Sequence, residues 1–322
     1  GEEKFIFSKL EFYNISGSIK DRVAYYIIKD AYEKDMLKKG MTIVEATSGN
    51  TGIALAAMGN IFGNPVRIYM PDWVSKERVN IMKMYGAEII LVSKEEGGFK
   101  RAIEEAKKYA RDNNAFYSAQ FENESNVLAH YETTGKEIID VLGDNIGGFV
   151  SGIGTGGTLM GVAKRLKKQD SNVKIYALEP DKMPLLSEGK IYGNHKIEGI
   201  GDDFIPDIVE QNLIDEIIQI NDDDAINMAR KIAADLGIGV GNSSGANLLA
   251  AIIANEKIQG NIVTIFVDDN KKYLSTDLGK KIDSNIEFLS NKVELLGFLG
   301  INLHVLCCCM QSLQFIFSSS LF

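Results

Sequence analysis

The chain has 322 residues, 45% hydrophobic and 25% charged, which is ample for a large buried core and more than one ordinary domain needs. A formal charge of -9 argues against nucleic acid or an anionic membrane as the main partner, though it leaves room for a local basic pocket. The three cysteines, Cys307, Cys308 and Cys309, are consecutive, so they build no disulfide framework and a reducing, cytoplasmic setting is expected.

The opening GEEKFIFSKLEFYN is too charged for a secretory signal, and a start at Gly1 suggests a processed, trimmed or incomplete terminus. Asn14-Ile15-Ser16-Gly17-Ser18-Ile19-Lys20-Asp21-Arg22 then opens a helix. Serines stand at its cap positions, and Ile19, Val23 and Ile27 form an apolar stripe at i, i+4 spacing. Lys20 lies beside that stripe and close to the helix N-terminus. Desolvation and the helix dipole both lower a lysine pKa, as a Schiff-base lysine requires. A surface lysine paired with Asp21 is the plainer reading of the same residue.

From about residue 16 to 267, short β-branched runs alternate with longer helical segments. The expected strands are Thr42–Ala46, Val66–Met70, Glu88–Val92, Phe149–Gly152, Lys174–Leu178 and Ile262–Val267. The helices between them are Ile53–Ile61, Lys76–Tyr85, Lys100–Asp112, Leu159–Lys168 and Ala225–Asp235. Such alternation implies crossover connections and a mostly parallel sheet, with ligands beyond the carboxyl ends of its strands.

Two glycine-rich loops fall at such ends. Thr47-Ser48-Gly49-Asn50-Thr51-Gly52 follows TIVEA, and its hydroxyls and N–H groups suit a carboxylate or phosphate. Gly152-Ile153-Gly154-Thr155-Gly156-Gly157-Thr158 follows GFVS and opens a helix, which makes it the stronger anion cradle. Gly152, Gly154 and Gly157 also satisfy the dinucleotide G-x-G-x-x-G pattern, with Glu179 near the place of a ribose-binding acid. A nicotinamide-dependent dehydrogenase is therefore the rival reading, but it leaves Lys20 and the Thr47 loop unexplained.

Asp222-Asp223-Asp224 read as a solvated cap on a helix, and His130 in HYETTG as a packed or capping residue. His195 and His304 have no evident partner, and no cluster has metal-ligand spacing, so no metal is expected. Beyond Thr276 a polar stretch precedes GFLGINLHVLCCCMQSLQFIFSSSLF. Its length approaches a membrane span, but Asn302, His304, Gln311 and Gln314 interrupt it. A buried or disordered appendage, or a sequence not native to the fold, is expected there rather than an anchor, and 281–322 receives no role.

GSIKDR, EATSGNTGIALA, GIGTGGTLMGVAKRLK, EGIGDDFIP, GNSSGAN and KKYLST occur in that order. Through them the chain, from about residue 5 to 278, resembles the cysteine synthase and cystathionine β-synthase family of fold-type II pyridoxal-phosphate enzymes. The resemblance implies an α/β fold of tryptophan-synthase-β type, with two domains of mostly parallel twisted sheets flanked by helices. Residues 14–124 would form one domain, with a mobile subdomain at about 65–111, and residues 1–13 with 125–280 the other.

The same resemblance implies pyridoxal 5'-phosphate, held as a Schiff base by Lys20, which also acts as acid and base at the substrate Cα. Asn50 would meet the phenolic oxygen, Gly154, Thr155, Gly156, Gly157 and Thr158 the phosphate, and Ser243 the pyridine nitrogen. Thr47, Ser48, Gly49 and Thr51, with Gln120, would hold the substrate carboxylate. A hydroxyl at the ring nitrogen makes a weaker electron sink than a carboxylate would, which favours loss of a β-substituent over transamination.

Departures from the family pattern carry information. Asn14-Ile15-Ser16-Gly17 replaces Asn-Pro-Thr-Gly, and the upstream Asn-Thr-Pro-Leu stretch is missing, which bears on dimer contacts. Within Gly199–Pro206, Asp203 stands where synthases using O-acetylserine have a small residue and cystathionine β-synthases an aspartate. Acetate leaves with little help, whereas a hydroxyl or thiol benefits from a nearby acid. Asp203 is thus the expected second catalytic residue, although Asp202 or Asp203 as a mere turn cap is the plainer reading.

L-Serine or L-cysteine is the expected first substrate, with a sulfide or thiol as the second nucleophile. Cysteine, cystathionine or lanthionine would be the product, with hydrogen sulfide consumed or released. An O-acetylserine-specific cysteine synthase and a catalytically silent sensor are the other readings; Lys20, Asn50 and Ser243 argue against the silent one. A homodimer is expected.

Overall fold

The computed structural model describes residues 4–280, 287–295 and 314–318, the last of these as backbone. β1 (Phe5–Leu10) and α1 (Lys20–Glu33) open the chain. There follow β2 (Ile43–Ala46), α2 (Asn50–Phe62), β3 (Val66–Pro71), α3 (Lys76–Met84), β4 (Glu88–Val92), α4 (Gly98–Asp112) and β5 (Phe116–Tyr117). These four strands after α1 make one parallel sheet in the order β4-β3-β2-β5.

α5 (Glu124–Ala129), a π-helical turn (His130–Gly135) and α6 (Lys136–Leu142) lead into β6 (Ile146–Gly152), α7 (Gly157–Gln169) and β7 (Lys174–Pro180). Then come α8 (Leu185–Glu188), β8 (Glu216–Ile220), α9 (Asp222–Leu236), α10 (Asn242–Asn255), β9 (Asn261–Phe266), α11 (Leu289–Lys292) and β10 (Gln314–Ser318). The second sheet runs β10-β1-β9-β6-β7-β8 and is parallel except where β10 meets β1.

Interior strands such as β2 and β9 are buried on both faces, as in parallel sheets covered by helices. In β2, Ile43 packs with α1 and α2 residues such as Ile28 and Ile53, while Val44 and Ala46 pack under α4. Ala102, Ala106 and Ala110 form the buried stripe of α4 at i, i+4 spacing, so the helix lies close on the sheet. The larger sheet carries α9 and α10 on one face and α7 on the other. Ile19, Val23 and Ile27 are fully buried on α1, as the stripe predicted. Ile19 rather than a serine is its cap residue, although the Ser18 hydroxyl accepts from Lys20 N–H at 3.3 Å.

The aspartate run differs from expectation. Asp222, Asp223 and Asp224 form the first turn of α9, and Asn221 is the cap that accepts from the N–H groups of Asp223 and Asp224. Asp222 is fully buried against Lys182, and Asp224 accepts from the N–H groups of Leu289 and Ser290. Only Asp223 has the solvated character read from the sequence. Cys307–Cys309, His304 and the centre of the apolar tail lie outside the described residues. Among the described residues, no helix is long and apolar enough to cross a membrane, and no cluster is arranged to hold a metal ion.

Candidate active site

Both glycine loops leave the carboxyl ends of interior strands: the Thr47 loop leaves β2 and the Gly154 loop leaves β6. They meet across a cleft enclosing about 840 Å3, counted out to its open mouth. Lys20 reaches this cleft from the first turn of α1, and Ser243 from the first turn of α10. Four helix N-termini (α1, α2, α7, α10) therefore border one space, which favours anionic groups there.

Burial brings the Lys20 amine down to about 8, and the carboxylate of Asp202 pulls against that shift. The pairing of Lys20 with Asp21 does not form, because Asp21 accepts from the N–H of Ser16 at 2.7 Å and from its hydroxyl. Lys20 is left free for the cleft.

On the opposite wall the Thr51 hydroxyl donates to Gln120 Oε1 at 2.6 Å, and Gln120 Nε2 donates to the carbonyl of Ala46 at 2.9 Å. Glu45 stands behind them, accepting from the Ser118 hydroxyl and from the N–H groups of Ala46 and Gln120. Burial pushes the Glu45 carboxyl up to about 7. Thr47, Ser48, Gly49, Asn50, Thr51 and Gln120 all line the cleft.

The Gly154 loop is shaped by close approach. A Cβ on Gly154 would fall 2.2 Å from the carbonyl oxygen of Gly199, and Gly156 has φ +90° with Val209 against it. Gly154, Thr155, Gly156 and Thr158 line the cleft; Gly157 does not, and packs on Asn126 while starting α7. Asn126 donates to Thr155 Oγ1 at 2.9 Å. His130 is buried behind the loop, with Nε2 3.2 Å from Thr158 Oγ1 and Nδ1 2.9 Å from Thr134 Oγ1. Burial holds it neutral, its pKa well below the usual histidine range. It is a packed residue, and one that touches the cradle.

Glu179 is unavailable to a ribose. Its carboxylate accepts from the N–H groups of Leu186 and Ser187 and from the Ser187 hydroxyl. The dinucleotide reading loses its acid on that ground.

Asp203 is placed differently from the sequence expectation. Its side chain is 40% exposed and pairs with Lys100 at 2.8 Å, outside the residues that line the cleft. Its neighbour Asp202 lines the cleft instead, and burial together with the Asp203 charge raises its carboxyl to about 6. Gly199 and Gly201, with φ +93° and +70°, supply the turns that alternate these side chains.

Arg78, Phe99, Phe121 and Glu198 also line the cleft, and sequence reasoning did not single them out as site residues. Arg78 sits on α3, where a charge ordinarily faces solvent. Glu198 lies inside the EGIGDDFIP motif, which was a usable signal.

A carbonyl cofactor with an acidic tail fits these residues. Lys20 offers an amine of lowered pKa, the α7 N-terminus offers a glycine cradle, and Asn50 carries a buried amide oxygen with no partner. The fold and cleft define a lysine-based α/β enzyme of the pyridoxal-phosphate class. Residues 1–268 match the family described as pyridoxal-phosphate dependent enzyme, and the chain belongs to that family.

It is 42% identical over 281 residues to a probable cysteine synthase of Bacillus subtilis, covering 85% of this chain and 89% of the other. A hydrogen sulfide-producing enzyme from Fusobacterium nucleatum superimposes with TM-score 0.86 at 52% identity, covering 90% of this chain and 89% of that one. A cysteine synthase from Entamoeba histolytica does so with TM-score 0.83 at 42% identity, covering 89% and 85%. The protein is a cysteine-synthase-like enzyme of β-replacement and elimination chemistry that depends on pyridoxal phosphate.

Proposed function

We propose that the first substrate is L-serine or L-cysteine, and that hydrogen sulfide is consumed or released as the β-substituent is exchanged. The supporting observation is the acid on the 199–206 segment. Asp202 faces the cleft beside Lys20 with its carboxyl raised to about 6, so a protonated fraction exists near neutral pH. Such an acid assists departure of hydroxide or thiolate, which leave poorly on their own. An aspartate-to-asparagine variant of the Fusobacterium enzyme was solved with an α-aminoacrylate intermediate, which agrees with loss of a β-substituent whichever of these amino acids supplies it.

Lys20 holds the cofactor and moves the proton at the substrate Cα. Thr47, Ser48, Gly49, Thr51 and Gln120 orient the substrate carboxylate. Asn50, Ser243 and the Gly154–Thr158 loop, Gly157 included as the start of α7, fix the cofactor. Bound pyridoxal phosphate supplies the electron sink for carbanion formation. Asp202 takes the acid role in the described arrangement. Asp203, held by Lys100 of α4, takes it once a shift of α4 on substrate binding releases that pair.

The enzyme works in the cytoplasm as a homodimer; Tyr13 and Ile15, 70% and 73% exposed just before α1, suit a contact between copies. The test adds L-serine, L-cysteine and O-acetyl-L-serine in turn to cofactor-loaded protein and follows visible absorbance and sulfide release. A spectral change with serine or cysteine, with sulfide released from cysteine, supports the assignment. Response to O-acetyl-L-serine alone would leave an O-acetylserine-specific cysteine synthase.

A further inference from the structure

We propose that Arg78 and Glu198 form the docking site for the amino-acid head of the second substrate, a zwitterionic thiol. The proposal rests on the β-replacement reading above and names the class of nucleophile which that reading leaves open.

Arg78 is 3% exposed and lines the cleft. Its guanidinium lies over the Tyr273 ring at 4.4 Å, and Nη1 pairs with Glu198. Its Nε is shut from solvent and has no partner. Gly49 locates that unused donor, because a Cβ there would fall 2.6 Å from Nε. The donor thus borders the loop that carries Thr47 and Thr51.

The arginine is set in place before any ligand arrives. The Ser75 hydroxyl donates to the carbonyl of Lys272, and Glu77 accepts from the N–H and hydroxyl of Ser275, so the start of α3 is fixed. Glu198 is its counter-ion at the cleft wall, with a side chain 31% exposed.

Charge matching identifies the ligand. Among the described residues that line the cleft, the cations are Lys20 and Arg78 and the anions are Glu198 and Asp202. Lys20 belongs to the cofactor and Asp202 lies beside it, while the first substrate's carboxylate has the Thr47 loop and Gln120. Arg78 and Glu198 are the pair left over. An amino acid carries the complementary pair, a carboxylate for Arg78 and an ammonium for Glu198. Its entry exchanges one ion pair for two and buries no net charge, so each charge taken out of water meets a counter-ion. Hydrogen sulfide has neither group and gains nothing from this pair.

The test measures steady-state kinetics of the cofactor-loaded enzyme with L-serine and four second substrates. These are L-homocysteine, mercaptobutyrate (no amine), aminopropanethiol (no carboxylate) and sulfide. The wild type is expected to show a KM for L-homocysteine about tenfold or more below that for either truncated thiol. Arg78→Gln should erase the advantage over aminopropanethiol, with partial recovery in Arg78→Lys. Glu198→Gln should erase the advantage over mercaptobutyrate.

If both residues merely latch the fold, the substitutions raise KM for all four nucleophiles in parallel, sulfide included, and the proposal fails. A wild type indifferent to truncation of the thiol overturns it as well. Should Arg78→Gln not fold, Glu198→Gln at its partly exposed position decides alone. A wild type that forms no product with any nucleophile removes the β-replacement reading and this proposal with it, an outcome distinct from indifference to truncation.

Discussion

The Asn50 side-chain amide donates to Asp268 at 2.8 Å, so the first residue of α2 is anchored to the segment that follows β9 in the other sheet. Asp268 is fully buried and also accepts from the Tyr273 hydroxyl at 2.8 Å. This fixes the amide of Asn50 while its carbonyl oxygen stays without a partner. Replacing Asp268 with Ala removes a charged acceptor, a loss of about 1.5–3 kcal/mol. Affinity for pyridoxal phosphate should fall about tenfold to a hundredfold, read by fluorescence titration of cofactor-free protein. Unchanged affinity would mean that Asn50 needs no such anchor.

Cofactor attachment should report the state of Lys20, because only the neutral amine attacks a carbonyl. With its pKa brought down to about 8, roughly one amine in ten is neutral at pH 7, against about one in three thousand for an ordinary lysine. The rate of attachment to stripped protein should climb about tenfold per pH unit up to pH 8 and then level. Asp202→Asn should move the levelling point to lower pH, since the carboxylate supports the ammonium. Lys20→Ala should not attach the cofactor at all. Levelling near pH 10 would contradict the burial argument.

Asp202 and Asp203 are separable by substrate. Loss of a general acid costs about a hundredfold to ten-thousandfold in rate when the leaving group is poor. Asp202→Asn should impose such a loss with L-serine and much less with O-acetyl-L-serine. Asp203→Asn should mainly release Lys100 and cost a few-fold. The wild-type serine rate should decline above about pH 6 as Asp202 ionises, and that limb should vanish in Asp202→Asn. A larger effect at Asp203 would restore the assignment made from the sequence motif.

Much of this architecture is legible because it is locally encoded. Glu88–Val92 was read from the sequence with the bounds it has in the structure, and the other expected strands and helices lie on observed ones with ends displaced by a few residues. The elements that escaped have physical reasons. In α10 every residue except Ile253 is buried, so the chain shows no amphipathic period to read. β5 has two residues and β8 is a short edge strand.

At the site, the glycine loops and Lys20 announced themselves by residue type at strand ends and a helix start. Arg78 and Asp202 did not. Their place depends on which way a tertiary turn points a side chain, and the turn at Gly199–Gly201 is set by packing against Gly154.

Next to the lysine helix lies a buried charge network that governs acid stability. Glu11 is 1% exposed and sits 3.3 Å from Lys9 and 2.8 Å from Arg22, and Glu137 pairs with the same two cations at 2.6 and 2.7 Å. Burial works to raise the Glu11 carboxyl, but Arg22, Lys9 and Asn14 together outweigh it and bring the pKa down to about 2. A carboxyl lowered on folding stabilises the folded state fully above its unfolded value of 4.5, and that contribution fades as pH falls toward 2. The shift corresponds to about 3 kcal/mol. Urea unfolding should therefore show stability dropping between roughly pH 5 and pH 2. Glu11→Gln should cost about 3–5 kcal/mol at pH 7, because it leaves buried cations undercompensated, and should flatten the acid limb. A variant that keeps the wild-type acid limb would place the titrating group elsewhere in the protein.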